Sequence, residues 1–168
     1  MKKLTTLALA VFGLILGSYA FAQNSATTSA NATARIVTPI TLTKTSDMNF
    51  GDVVPSGVAG TVQLSPAGAR VAGGGAALGS AAGVAAAGFT VAGQANYNYS
   101  ITLPASTTVN DGGPNNMTVN AFTSNPTPTG NLGAGGSQAL LVGATLNVGA
   151  NQVTGVYTGT FNVTVTYN

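Results

Sequence analysis

The sequence predicts an all-β protein, an immunoglobulin-like Greek-key β-sandwich that follows an N-terminal signal peptide. Three observations carry this expectation. Short segments of the chain alternate apolar and polar residues with a period of two, and they are rich in Val, Ile, Thr, Tyr and Phe. Clusters of Gly, Pro and Asn punctuate them, as turn residues do between strands. The stretch richest in Ala, residues 70–87, carries five glycines between Gly73 and Gly83. Each costs a helix about 1 kcal/mol relative to Ala, so the run argues against helix.

Taken in order, residues 23–33 (QNSATTSANAT) are small and polar and read as a flexible leader. Residues 34–44 place Ile36, Ile40 and Leu42 in alternation around Pro39. A proline has no N–H for a ladder, so Pro39 marks an edge position or a break between two short strands. Asn49 to Val54 reads as a short strand or turn, stopped by Pro55. Gly60 to Ser65 is a strand closed by Pro66-Ala67-Gly68. A short strand is expected near Arg70–Ala72, then a loop. Gly88–Ala92 and Tyr97–Leu103 are strands expected to pair as a hairpin across Gly93–Asn96. Asn110 to Asn116 is a turn cluster, Met117–Ser124 a strand, Asn125–Gly136 a loop, and Leu140–Val148 a strand around Gly143.

The final segment is the most informative. Phe161, Val163, Val165 and Tyr167 fall on one face of an extended strand, and Thr160, Asn162, Thr164 and Thr166 on the other. The pattern predicts a half-buried strand that builds the chain end into the fold.

At the other end, Met1-Lys2-Lys3, an apolar run from Leu4 to Leu16 and Ala20-Phe21-Ala22 have the form of a secretory signal peptide. Cleavage between Ala22 and Gln23 would remove 22 of 168 residues and leave 146, enough for one sandwich domain over 34–168. The apolar run is shorter than the ~20 residues of a membrane span, so no integral span is expected after cleavage. Lys2 and Lys3 would leave with the leader. Arg35, Lys44 and Arg70 then balance Asp47, Asp52 and Asp111. A neutral chain offers no basic patch for nucleic acid, and near-zero charge favours association.

The chemistry that is missing narrows the function further. The chain has no His, Cys, Glu or Trp, which removes His bases, Cys nucleophiles, zinc sites and Glu-based glycosidase pairs. It also removes disulfides and a Cys for lipid attachment. Asp47 and Asp52 read as solvated or turn-capping residues. Asp111 with Asn110, Asn115 and Asn116 resembles a calcium loop only in outline, because one carboxylate is too little charge. Gly73-Gly74-Gly75 lacks the Lys-Ser/Thr of a phosphate loop. Tyr97 and Tyr99 share a strand face and are expected in the core, with a sugar-binding platform as the alternative use. The Asn-x-Ser/Thr triplets at Asn31, Asn98, Asn116 and Asn162 read as Thr-rich strand composition. No catalytic, cofactor-binding or metal residue is assigned.

Two segments carry a family resemblance. One is Thr38 to Gly51 (TPITLTKTSDMNFG); the other is Val142 to Gln152 (VGATLNVGANQ) followed by Gly155 to Phe161 (GVYTGTF). Together they resemble secreted bacterial domains described only as a domain of unknown function, over about residues 34–168. The resemblance implies a secreted β-sandwich and supplies no activity. The last segment separately resembles the final strand of fimbrial subunits exported by the chaperone–usher route, and of spore-coat-U-type pilins. A glycine fourteen residues from the end and a penultimate aromatic mark such strands, and Gly155 and Tyr167 stand there. In those subunits the sandwich lacks one strand, which a neighbour supplies by β-strand addition. This chain has no Cys for the disulfide that many of them carry, and its polar leader lacks the large alternating apolar residues of a donor strand.

The expected function is a non-enzymatic structural subunit of an extracellular, pilus- or matrix-like assembly. Its partners would be copies of itself or other secreted subunits, with an export chaperone. Phe161, Val163, Val165 and Tyr167 would form the assembly strand, with Gly155 opening it. Ile36, Ile40 and Leu42 would lie on the donor or first strand. The expected location is secreted or on the cell surface, with the periplasm as the alternative. The alternative function is a monomeric surface or periplasmic binding module for glycans.

Overall fold

In a computed structural model the described residues are 24–168. The expected signal peptide, with Gln23, lies outside them. Among the described residues the fold is all-β, with twelve strands: β1 (Thr41–Ser46), β2 (Val53–Val54), β3 (Gly60–Leu64), β4 (Arg70–Gly74), β5 (Ala77–Leu78), β6 (Ala87–Ala92), β7 (Asn98–Thr102), β8 (Ser106–Asn110), β9 (Asn116–Asn125), β10 (Thr129–Asn131), β11 (Ser137–Val148) and β12 (Thr164–Tyr167). Every pairing is antiparallel. Residues 24–35 form no strand and are exposed. Residues 36–168 form one compact unit.

β11 organises that unit, because at twelve residues it is long enough to serve two neighbours along one edge. Ser137–Val142 pairs β6, and Ala144–Val148 pairs β3. Its other edge pairs β9 from Leu141 to Asn147. Gly143 stands at the handover. A Cβ there would come within 2.2 Å of the Leu64 carbonyl oxygen, so only glycine lets the end of β3 approach so closely. The resulting sheet runs β1-β6-β11-β3-β4, with β9 and β8 beyond the other edge of β11.

Alternation along these strands builds two cores. Val91, Leu140 and Val142 face Tyr99 and Leu132, with Ile101, Val165 and Tyr167 packed around them. This is the layer between the β1-β6-β11 part of the large sheet and a second sheet ordered β10-β7-β12. Val62, Val119, Leu146 and Val148 form the other cluster, under Phe50, Val53 and Ala76. Met48 and Phe122 touch both clusters. A bulge in β9 accounts for Phe122: the register slips between Gly143 and Thr145, and Ala121 takes a φ of 47°. The Phe122 ring then lies 5.0 Å from that of Phe161.

Arg70 fastens the small β2–β5 sheet to the body. Its guanidinium donates to the carbonyls of Phe50, Asp52, Gly79 and Ser80, at 2.6 to 3.3 Å. A planar fork with five donors can bridge four backbone acceptors, which a lysine cannot.

Several sequence expectations need correction. β6 and β7 are not a hairpin: β6 pairs β1 and β11, while β7 pairs β10 and β12. The connection between them is stitched to the loop before β11 instead of to itself. Gly93 N–H donates to the Gly136 carbonyl, and Asn96 N–H to that of Gly133. With Asn96 at φ 63°, the chain turns the corner from one sheet to the other. The strand at Arg70 continues through Gly73 and Gly74. β8 and β10 arise where no strand was expected. Residues 155–163 are not ladder strand, since Thr158 instead exchanges two backbone hydrogen bonds with Asn110 and Thr160 accepts from the Thr107 hydroxyl. That path carries the chain past β8 before β12 begins.

Candidate functional site

β12 has one partner. Thr164, Val165, Thr166 and Tyr167 pair with Thr102, Ile101, Ser100 and Tyr99 of β7, and the opposite edge of β12 has no strand beside it among the described residues. Which groups face that edge follows from two bonds. Asn168 N–H donates to the Asn98 carbonyl, and Ile101 N–H turns the other way to the Pro128 carbonyl. Antiparallel pairs alternate between hydrogen-bonded and open positions. The even-numbered residues therefore bond to β7, and the backbone N–H and C=O of Val165 and Tyr167 point outward.

The side chains follow the expected alternation. Phe161, Val163, Val165 and Tyr167 are half-buried and pack on the Tyr99–Leu140 cluster, while Asn162, Thr164, Thr166 and Asn168 are exposed. The edge thus offers a hydrogen-bonding backbone, an apolar inner face and an uncharged outer face.

Tyr167 ties this strand to two distant segments. Its phenol accepts from Gln94 N–H at 2.6 Å and donates to the Thr38 carbonyl at 2.8 Å. Tyr97 meets its ring edge-on, at 5.5 Å between centroids. Gly93 makes room, because a Cβ there would lie 2.1 Å from the Tyr167 hydroxyl. Sequence reasoning found Tyr167 and missed Gly93, Gln94 and Thr38. The glycine before a turn was the one legible sign, and nothing in the sequence marks a carbonyl 129 residues away.

Gly155 is exposed, and the nearest atom to a Cβ built on it is 3.5 Å away. Neither space nor backbone geometry demands a glycine there. Ile40 and Leu42 pack on the core cluster, with Leu42 in β1 opposite Val91. Ile36 is not part of the first strand: it is 92% exposed and lies before β1. Pro39, which has no N–H for a ladder, stands between the exposed Ile36 and the half-buried Ile40.

The edges of β1, β10 and β8 differ from that of β12. Among the described residues β1 is also unpaired on one side, but it carries Lys44, a register slip between Lys44 and Ser46, and Pro39 just before it. Lys44 sits opposite Phe89 and forms an ion pair with Asp47. Charge, bulge and proline are the devices that blunt an edge against pairing. β10 is three residues long and follows Pro128. β8 is flanked by the Thr158–Thr160 segment.

The remaining candidates do not converge on a site. Tyr99 is fully buried, its hydroxyl donating to Gln138 Oε1 at 2.8 Å, and burial pushes its phenol above the ordinary value. Tyr97 packs against Tyr167, so the pair forms no exposed aromatic platform. Asp111 accepts from the Asn115 amide and from Gly113 N–H, which hold its carboxyl below the usual range. It caps its own turn. Among the described residues no three His, Cys, Asp or Glu come together as metal ligands, and no helix is long and apolar enough to cross a membrane.

Comparison with known proteins gives one result. No curated protein and no solved structure matches the chain. A family model described as "Domain of unknown function (DUF4402)" matches residues 40–167, a span that takes in every strand from β1 to β12. The chain therefore belongs to the DUF4402 family.

Proposed function

We propose that this chain is a non-enzymatic structural subunit, exported from a bacterial cell by way of its first 22 residues, that assembles with other chains through the outer edge of β12. One observation carries the reading: β12 presents outward backbone groups at Val165 and Tyr167 with no charge, proline or bulge to deter pairing, while β1, the edge strand of the facing sheet, carries a charge and a bulge and is preceded by Pro39. Strand addition to such an edge takes affinity from main-chain hydrogen bonds and specificity from alternate side chains. The resemblance of the last segment to chaperone–usher fimbrial subunits and spore-coat-U-type pilins supports the same reading. So does the balance of three cations against three carboxylates after residue 22, which leaves little repulsion between copies. An assembly at the cell surface, built from copies or from other secreted subunits and delivered by an export chaperone, suits these properties.

Sedimentation velocity and negative-stain microscopy of the purified chain across a concentration series test the proposal. Association that Thr166→Lys abolishes is expected. A chain that stays monomeric at every concentration, alone and with other exported proteins of its cell, would sink it.

A further inference from the structure

We infer that the occupant of the β12 edge is β12 of a second copy, antiparallel and centred on Val165. This rests on the reading of β12 as an association edge, and it names the partner and the register. The groups that need partners belong to Val165 and Tyr167, and the half-buried Val163 continues the same odd-numbered series. An antiparallel partner must offer outward groups at the same two-residue step. A second β12 does so when Val165 lies opposite its own counterpart and Val163 lies opposite the second copy's Tyr167.

The same register sets Thr164 opposite the second copy's Thr166, an uncharged pair of a kind that stabilises sheets. No like charges meet anywhere along Val163–Tyr167, because the segment contains none. The inner faces also complement each other, since the half-buried Val163, Val165 and Tyr167 gain apolar cover from the same three residues. The chain's own leader is a poorer occupant. Asn24–Thr33 contains no large apolar residue to extend the inner face, and Ile36 is a single one. Self-pairing would join two three-stranded sheets into one of six strands, in the order β10-β7-β12-β12-β7-β10. A twofold pairing of this kind is closed, so it makes a dimer as the unit of any larger assembly.

Thiol cross-linking tests the register directly, because the chain has no cysteine of its own. Thr164→Cys and Thr166→Cys both fall on exposed positions, and neither touches the core. In the inferred register the two thiols face each other at an open pair, with Cα atoms about 4.5 Å apart, inside the range a disulfide spans. Each variant alone sets its two thiols a diagonal step apart, roughly 7–8 Å, beyond easy bridging. Mild oxidation of a mixture of the two variants is expected to give covalent dimer at about ten times the yield of either variant alone. Association in sedimentation without a mixture-specific cross-link would overturn the register and leave β12 as an association edge. No association of the unmodified chain at any concentration would overturn both.

Discussion

β1 and β12 are edge strands of facing sheets, and they treat water differently. β1 is bulged between Lys44 and Ser46, follows Pro39 and carries the Lys44–Asp47 ion pair. β12 is regular over its four residues and bears only Thr, Val and Tyr. An exposed edge is a template for another chain, and most proteins blunt it. Under the proposed function, the bare edge is the one that takes a partner. The difference teaches that two edges of one fold can differ in how far their backbone groups are open to another strand, and under the proposed function association rests on those of β12. Its side chains supply little reactive chemistry.

The comparison can be broken or sharpened by substitution. The largest effect is expected from Val163→Asp, which puts a carboxylate on the inner face of the β12 segment. It should cost roughly 2–4 kcal/mol in chemical denaturation, whereas Thr166→Asp on the outer face should change stability by less than about 0.5 kcal/mol. Equal losses would show that the two faces are not distinct. Tyr167→Phe removes the phenol that ties β12 to Thr38 and leaves Gln94 N–H without its acceptor. A loss of about 1–2 kcal/mol is expected, with faster amide exchange at Gln94.

Tyr99 gives a pH test of the core beneath both edges. Its phenol sits above the ordinary value of 10.0 because of burial, so the folded chain keeps a proton that the unfolded chain releases. Stability from this group is whole below about pH 10 and is lost as pH rises further. In Tyr99→Phe that alkaline decline should shrink, as urea midpoints at pH 9 and 11 would report. The smallest effect on stability, and the most telling on association, is expected from exchanging guards. Thr166→Lys and Lys44→Thr should each shift stability by no more than about 0.5 kcal/mol. The first should abolish association, and the second should create none, because the bulge and the preceding Pro39 still guard β1, both read by sedimentation velocity.

Much of the fold was legible in the sequence because period-two alternation reports burial directly. The strands at Gly60–Leu64, Asn116–Asn125 and Ser137–Val148 lie within a few residues of where the pattern puts them. Pairing was harder to read. The Gly93–Asn96 turn looks like a hairpin loop, yet its N–H groups bond to Gly133 and Gly136, and no local pattern announces a partner forty residues ahead. β8 and β10 hide in Ser106–Asn110 and Thr129–Asn131, where Thr, Gly and Asn read equally well as loop. At the candidate site the face of Phe161, Val163, Val165 and Tyr167 was legible. Gly155 stood out by position alone, and the space around it gives it no structural duty. Ile36 lies outside the first strand, on the far side of Pro39, where alternation alone does not say whether the extended segment runs on past a proline.

Residue-resolved amide exchange on β12, in dilute and concentrated solution, tests the central claim most directly. In dilute monomer Thr164 and Thr166 should be protected by β7 while Val165 and Tyr167 exchange freely. On association Val165 and Tyr167 should become protected as well. Association that leaves those two amides exchanging as they do in the monomer would contradict the account.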